Sequence, residues 1–144
     1  MRIKPLEYMR PNTCITLREG IQELRKSEGL ENVTPDLVDI LDVHDAIHVL
    51  FACPTNLTGE ISAHIWKIFG TTMKMADMHR VNRHEDHRQV LAKIGHSKLI
   101  RTWFKSIPYI VATLFRSFRM KRRWPAGDYA LFMDIPLTYI SQVV

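Results

Sequence analysis

The sequence predicts an all-α fold, a single-domain helical bundle spanning residues 1–144, and three observations carry that expectation. Apolar residues recur at steps of three and four over several long stretches, the period of a helix face. Helix starts and stops border those stretches, with Thr34-Pro35-Asp36 at one start and Pro54 and Gly95 at two ends. No alternating run of strand length appears. At 144 residues, 46% apolar and 24% charged, the chain is long enough for one core and ordinary in composition.

Residues 1–12 are expected to form an extended arm, because Pro5 and Pro11 interrupt any helix. Thr13 to Lys26 reads as a helix with Ile15, Ile21 and Leu24 inward, ended at Ser27-Glu28-Gly29. In the next helix Thr34 caps, Pro35 suits the first helical position and Asp36 complements the dipole. Leu37, Ile40, Leu41, Ile47 and Leu50 then keep helical spacing through Phe51. After Pro54 a further helix starts at Asn56 or Thr58 and runs toward Arg80. Its apolar surface is Ile61, Ile65, Trp66, Ile68, Phe69, Met73 and Met75, and Gly70 marks a bend or a close contact.

His79, His84 and His87 stand among Arg80, Arg83, Glu85, Asp86 and Arg88. That region is charged all round and reads as a solvated junction between helices rather than a second metal group. Gln89 to Ile94 reads as a short helix. From Ile100 through Trp103, Phe104, Ile107, Val111, Leu114 and Phe115 to Phe118 an apolar stripe follows helical steps, with Pro108 placed to kink it. Asp128 to Val144 is expected to pack back on the domain as a short helix and tail, broken by Pro136.

The net charge of +5 is unevenly placed. Residues 98–124 hold eight basic residues and no acidic one, while the rest holds 12 basic and 15 acidic, a balance of −3. This basic amphipathic helical segment has two readings. It is a core helix with a solvated basic face, or it lines a lipid site or lies on an anionic membrane surface, with Trp103 and Trp124 at the interface. In the second reading Trp103, Phe104, Ile107, Val111, Phe115 and Phe118 meet the lipid, and Arg101, Lys105, Arg116, Arg119, Lys121, Arg122 and Arg123 face headgroups. No helix-turn-helix turn, zinc knuckle or RNA-binding signature argues for nucleic acid as a partner. No apolar run approaches the roughly 18 residues of a membrane span. Cys14 and Cys53 form no CxxC and the start carries no apolar leader, so reduced thiols in a cytosolic or peripheral protein are expected.

The chemistry concentrates in His44-Asp45-Ala46-Ile47-His48, followed after eleven residues by Glu60. Histidines four apart lie on one helix face and can converge on one ion. The turn through Pro54 and Gly59 returns a carboxylate to them from a second helix. His44, Asp45, His48 and Glu60 are therefore candidate ligands for a divalent metal, zinc first, with iron, manganese or magnesium as alternatives. Without the histidines, Glu60 would read simply as a first-turn acid favoured by the helix dipole. A His-Glu-x-x-His peptidase reading is weak, since Asp45 is shorter than the Glu general base of that motif. A His-Asp hydrolase needs an earlier histidine, and His44 is the first in the chain. Cys53 precedes Pro54 and has no neighbouring cation in sequence to make it a nucleophile.

His44, Asp45, His48, Pro54, Thr55, Gly59 and Glu60 together, without a gap in spacing, resemble the coenzyme Q biosynthesis protein 4 family. The resemblance runs from about Leu37 to Phe69, with Ala52 where that family usually has Gly. Ala52 is expected to be tolerated if its backbone is not left-handed. The resemblance implies a helical, zinc-binding or related metal protein on the inner membrane face (the matrix side if mitochondrial), with ligands at His44, Asp45, His48 and Glu60. It further implies a polyprenyl lipid or quinone precursor held between helices, quinone-biosynthesis enzymes as partners, and a homodimer as one assembly. Two activities follow: an accessory protein that organises the pathway, or a metal-dependent enzyme replacing a ring carboxylate at C1 with hydroxyl. Zinc cannot itself activate oxygen, so metal identity separates the two.

Overall fold

The computed structural model describes residues 5–29, 38–74, 76 and 96–144. Among these the chain is all-α, with five α-helices, two 3-10 segments and no strand beyond two isolated bridges. The expected Thr34-Pro35-Asp36 start, the His79, His84 and His87 cluster and the Gln89–Ile94 helix lie outside the described residues.

The first segment is not simply an extended arm. Glu7–Met9 form a 3-10 turn whose Tyr8 is buried, and the Glu7 and Tyr8 amides donate to the Glu23 carboxylate at 2.8 and 3.1 Å. Helix α1 spans Leu17–Glu28 and starts four residues later than Thr13 because Thr16 and Glu19 make a capping box. Leu17, Gly20, Ile21 and Leu24 form its buried face. Gly29 closes it in the left-handed conformation, φ 71°. At Gly20 a Cβ would lie 2.4 Å from Val49 Cγ1, so a glycine there lets α1 approach the next helix closely.

Helix α2 spans Val38–Leu50 and inserts Val43, Ala46, Ile47 and Val49 into the core. Helix α3 spans Leu57–Phe69, capped by Asn56 through a 2.9 Å bond from the Gly59 amide. It stops at Gly70, short of the expected Arg80. Beyond it the backbone pairs instead with Trp124, whose amide donates to the Gly70 carbonyl and whose carbonyl accepts from Thr72. Trp66 stacks on Phe51 at 4.1 Å, joining α3 to the end of α2.

Helix α4 spans His96–Phe118, with Pro108 inside it. It buries small polar residues and exposes large apolar ones. Ser106, Thr113 and Ser117 are buried, with Thr113 bonded to Ser62 at 3.1 Å and Ser106 to Thr58 at 3.3 Å on α3. Ile100, Trp103, Phe104, Ile107, Val111, Phe115 and Phe118 are exposed, about 125° round the helix on average from that buried face. The expectation of a core helix with only a basic face in solvent is thereby corrected. The basic segment is helical only to Phe118, and Trp124 is fully buried core rather than an interface residue. A 3-10 segment, Ala126–Phe132, follows Trp124. Helix α5, Leu137–Val143, then packs Leu137 and Ile140 inward, as expected after Pro136. No described helix is long and apolar enough to cross a membrane.

Candidate metal centre

The site forms where α2 ends and α3 begins. His44 and His48, one turn apart on α2, place their ring centroids 4.7 Å apart. The turn after α2 is sharp. Ala52 adopts φ 50°, and the Cys53 amide returns to the His48 carbonyl at 2.8 Å. The condition set for Ala52 therefore fails: its backbone is left-handed, where a Cβ is strained. The chain then passes Pro54 so closely that only a glycine fits at position 59. This aims Glu60, in the first turn of α3, at both histidines.

The distances define one focus. His48 Nε2 lies 3.1 Å from Glu60 Oε1, and His44 Nε2 lies 3.4 Å from Glu60 Oε2. The ligating atoms of the three residues all lie within 4.8 Å of one another. Two donors on a tetrahedral ion with bonds of about 2.0–2.1 Å stand about 3.4 Å apart, so these side chains need little movement to hold one.

The outer nitrogens are fixed as a metal site needs. His48 Nδ1 donates to the Cys53 carbonyl at 3.3 Å, which leaves Nε2 with a free lone pair in the neutral ring. That Nε2 is buried and makes no hydrogen bond, despite its short distance to Glu60. With the lone pair on Nε2, this close approach to a carboxylate is unfavourable unless a proton or a cation lies between them. An orphaned imidazole nitrogen aimed at a carboxylate is the arrangement a cation between them would satisfy.

Asp45 is placed differently from the other three expected ligands. Its Oδ2 accepts from Arg25 Nε at 2.7 Å, and its Oδ1 lies 3.5 Å from His44 Nδ1. Arg25 reaches Asp42 as well, at 2.5 Å, tying α1 to α2. Asp45 thus stands behind His44 and orients it, held out of the focus by the guanidinium. His44, His48 and Glu60 are brought together as expected.

The electrostatics follow. Burial raises the Glu60 carboxyl, but the two imidazoles outweigh it and hold Glu60 well below the usual carboxylate range. Burial lowers His44, but the Asp45 and Glu60 carboxylates overcome this and leave its pKa above the ordinary value. Cys53 is pushed up to about 11 by burial, so its thiol is protonated and inert at neutral pH.

Sequence spacing does not reveal four neighbours of the site. Tyr8 donates to the Cys53 carbonyl at 3.2 Å, the same oxygen that accepts from His48. Arg25 holds Asp45. His64 gives its Nδ1 hydrogen to the Glu60 carbonyl at 3.0 Å. Lys67, one face along α3 from Glu60 and His64, is buried. Only Lys67 carries a local signal, a lysine seven residues after Glu60 in an otherwise apolar stretch.

The six residues expected to meet a lipid lie on the outer face of α4 rather than between helices. A cavity of about 490 Å³ opens nearby, floored by Leu50, Phe51 and Trp66 and rimmed by Arg116, Arg119 and Lys121. Arg116 stands over Trp66 at 5.6 Å. No protein-family model, curated protein or solved structure matches the chain.

Proposed function

We propose that the protein binds a single divalent cation, zinc, through His44, His48 and Glu60. Through that ion it holds the head group of a polyprenyl lipid or quinone precursor at a membrane surface, as an accessory of quinone biosynthesis. The observation that carries the metal reading is His48 Nε2, buried, unbonded and facing Glu60 while Nδ1 is committed to Cys53. The lipid part is supported by the exposed apolar face of α4, with its neighbouring Arg101, Lys105, Arg116 and Arg119, and by the cavity with an aromatic floor and cationic rim. The quinone context rests on the resemblance in the histidine motif.

Three protein ligands leave a fourth tetrahedral position open, a feature of catalytic rather than closed structural zinc sites. This favours a second reading, a metal-dependent enzyme acting on the ring of the bound ligand. When bound, the metal would supply a Lewis acid for an oxygen of that ligand. The residues around it orient His44, fix the His48 tautomer and exclude water from one side of the site.

Elemental analysis of protein purified without a metal-affinity tag tests the site. The wild type is expected to carry about one equivalent of metal, and His48→Ala almost none with its helical circular dichroism unchanged. A full equivalent in His48→Ala would refute the assignment. Zinc supports the binding role, and iron or manganese the redox enzyme.

A further inference from the structure

Each imidazole of the centre has an outer partner, and each partner is held by a residue of the same N-terminal unit. His48 Nδ1 donates to the Cys53 carbonyl at 3.3 Å, and the buried Tyr8 hydroxyl donates to that same oxygen at 3.2 Å. A carbonyl oxygen has two lone pairs, so both donors are served. His44 Nδ1 faces Asp45 Oδ1 at 3.5 Å, and Arg25 Nε holds the other Asp45 oxygen at 2.7 Å. Tyr8 lies in the 3-10 turn Glu7–Met9 and Arg25 on α1. Glu23, also on α1, fastens the two elements together, since its carboxylate accepts from the Glu7 and Tyr8 amides. The unit stands wholly outside the stretch from His44 to Glu60 that supplies the candidate ligands.

We propose that Tyr8 and Arg25 are positioning residues for the metal centre, and that residues 7–28 clasp the core more tightly when the ion is bound. The proposal rests on the metal reading given above. Its sign follows from His48. While Nδ1 donates to Cys53, the Nε2 lone pair faces the Glu60 carboxylate at 3.1 Å. Without a cation between them the ring gains by turning off Cys53. With the cation in place the same ring position is favourable, so the Cys53 carbonyl stays where Tyr8 also reaches it. On the other side, the Arg25 guanidinium keeps Asp45 behind His44 by also pairing with Asp42. Opening of the unit therefore removes the support of both imidazoles at once. The ion binds the closed arrangement more tightly than the open one, and by linkage it stabilises closure by the same factor.

The test is hydrogen exchange of the full chain, read by peptide mass, with and without one equivalent of zinc. The Glu7 and Tyr8 amides exchange only when they leave Glu23. Zinc is expected to slow exchange in residues 7–9 at least about fivefold, and to leave residues 109–118 of α4, which carry none of these bonds, nearly unchanged. Tyr8→Phe keeps the ring in the core and removes only the hydroxyl. Chelator competition should show its zinc affinity lowered about 10-fold at unchanged stoichiometry, with the zinc-dependent slowing in residues 7–9 largely lost. Arg25→Lys keeps a cation but not the fork, and a similar loss of affinity is expected. A purely structural role for Tyr8 would lower stability without moving the zinc-dependent part of the exchange. Three results overturn the proposal: a full equivalent of zinc with exchange in residues 7–9 unaltered, an equal slowing in α4, or wild-type zinc affinity in Tyr8→Phe. The first two are read on the wild type, so they stand whether or not the variants fold. Failure of the wild type to bind zinc is a separate result, and it overturns the metal reading itself.

Discussion

A Cβ placed on Gly59 would stand 1.7 Å from the Pro54 carbonyl oxygen. The clash is with backbone, which cannot swing aside as a side-chain tip can. The turn between α2 and α3 is therefore closed on itself at the residue before Glu60. Gly59→Ala is expected to destabilise the fold by about 3 kcal/mol and to lose metal binding, since Glu60 must move with the turn. Urea unfolding and metal stoichiometry check this. A variant with native stability and a full equivalent of metal would show that the turn is looser than its packing indicates.

Ala52 carries the opposite lesson. It is left-handed, φ 50°, at a position where a side chain is disfavoured. Ala52→Gly is expected to stabilise by about 1 kcal/mol, the strain relieved less the entropy a glycine adds to the unfolded chain. Denaturant midpoints of the two proteins decide it. A lower midpoint for the glycine variant would mean that the methyl group packs well enough to outweigh its strain.

These two positions also show how legible the molecule is. The convergence of His44, His48 and Glu60 can be read from spacing, because helix geometry fixes i and i+4 and a short turn limits where Glu60 can go. Asp45 cannot be placed that way. Its direction depends on Arg25, which arrives from α1 through tertiary packing. The start of α1 is written locally in Thr16 and Glu19, a signal stronger than the apolar spacing that suggests Thr13. The end of α3 is not local, since apolar residues continue past Gly70 and it is the pairing with Trp124 that ends the helix's neighbourhood. The stripe on α4 is visible, but periodicity does not say which face is buried. Hydroxyls at Ser62 and Thr58 on α3 choose the face with Ser106 and Thr113.

The histidine–carboxylate focus makes metal binding depend on pH in a definite direction. His44 holds its proton above the ordinary histidine value, so its pairing with Glu60 stabilises the metal-free protein below about pH 6.5, and this is lost as pH rises through the raised pKa. Glu60 is depressed, so its contribution is present above about pH 4.5 and is lost as pH falls toward its folded value. Metal must displace the His44 proton. Zinc binding at about pH 6 is therefore expected to release about one more proton than at about pH 9, with affinity rising across that range. Calorimetry in buffers of different ionisation enthalpy measures the difference. Equal proton release at both pH values would remove His44 from the ligand set.

The outer face of α4 gives the final expectation. Phe104, Phe115 and Phe118 are 63%, 67% and 73% exposed, and a row of such residues on one helix is unusual for a surface facing only water. Arg101, Lys105, Arg116 and Arg119 lie beside the row, so an anionic bilayer offers hydrocarbon for the one and headgroups for the other. The protein should sediment with anionic vesicles, bind them less as salt rises, and leave neutral vesicles largely free. Phe104→Ser with Phe115→Ser should lower partitioning at least about tenfold, because each ring contributes on the order of 1 kcal/mol or more when it enters the interface. Both residues point away from α3, so metal stoichiometry should not change. Partitioning that is equal on neutral and anionic vesicles would count against membrane docking. If the double variant instead lowers a concentration-dependent mass by light scattering, the same face pairs two copies of the chain.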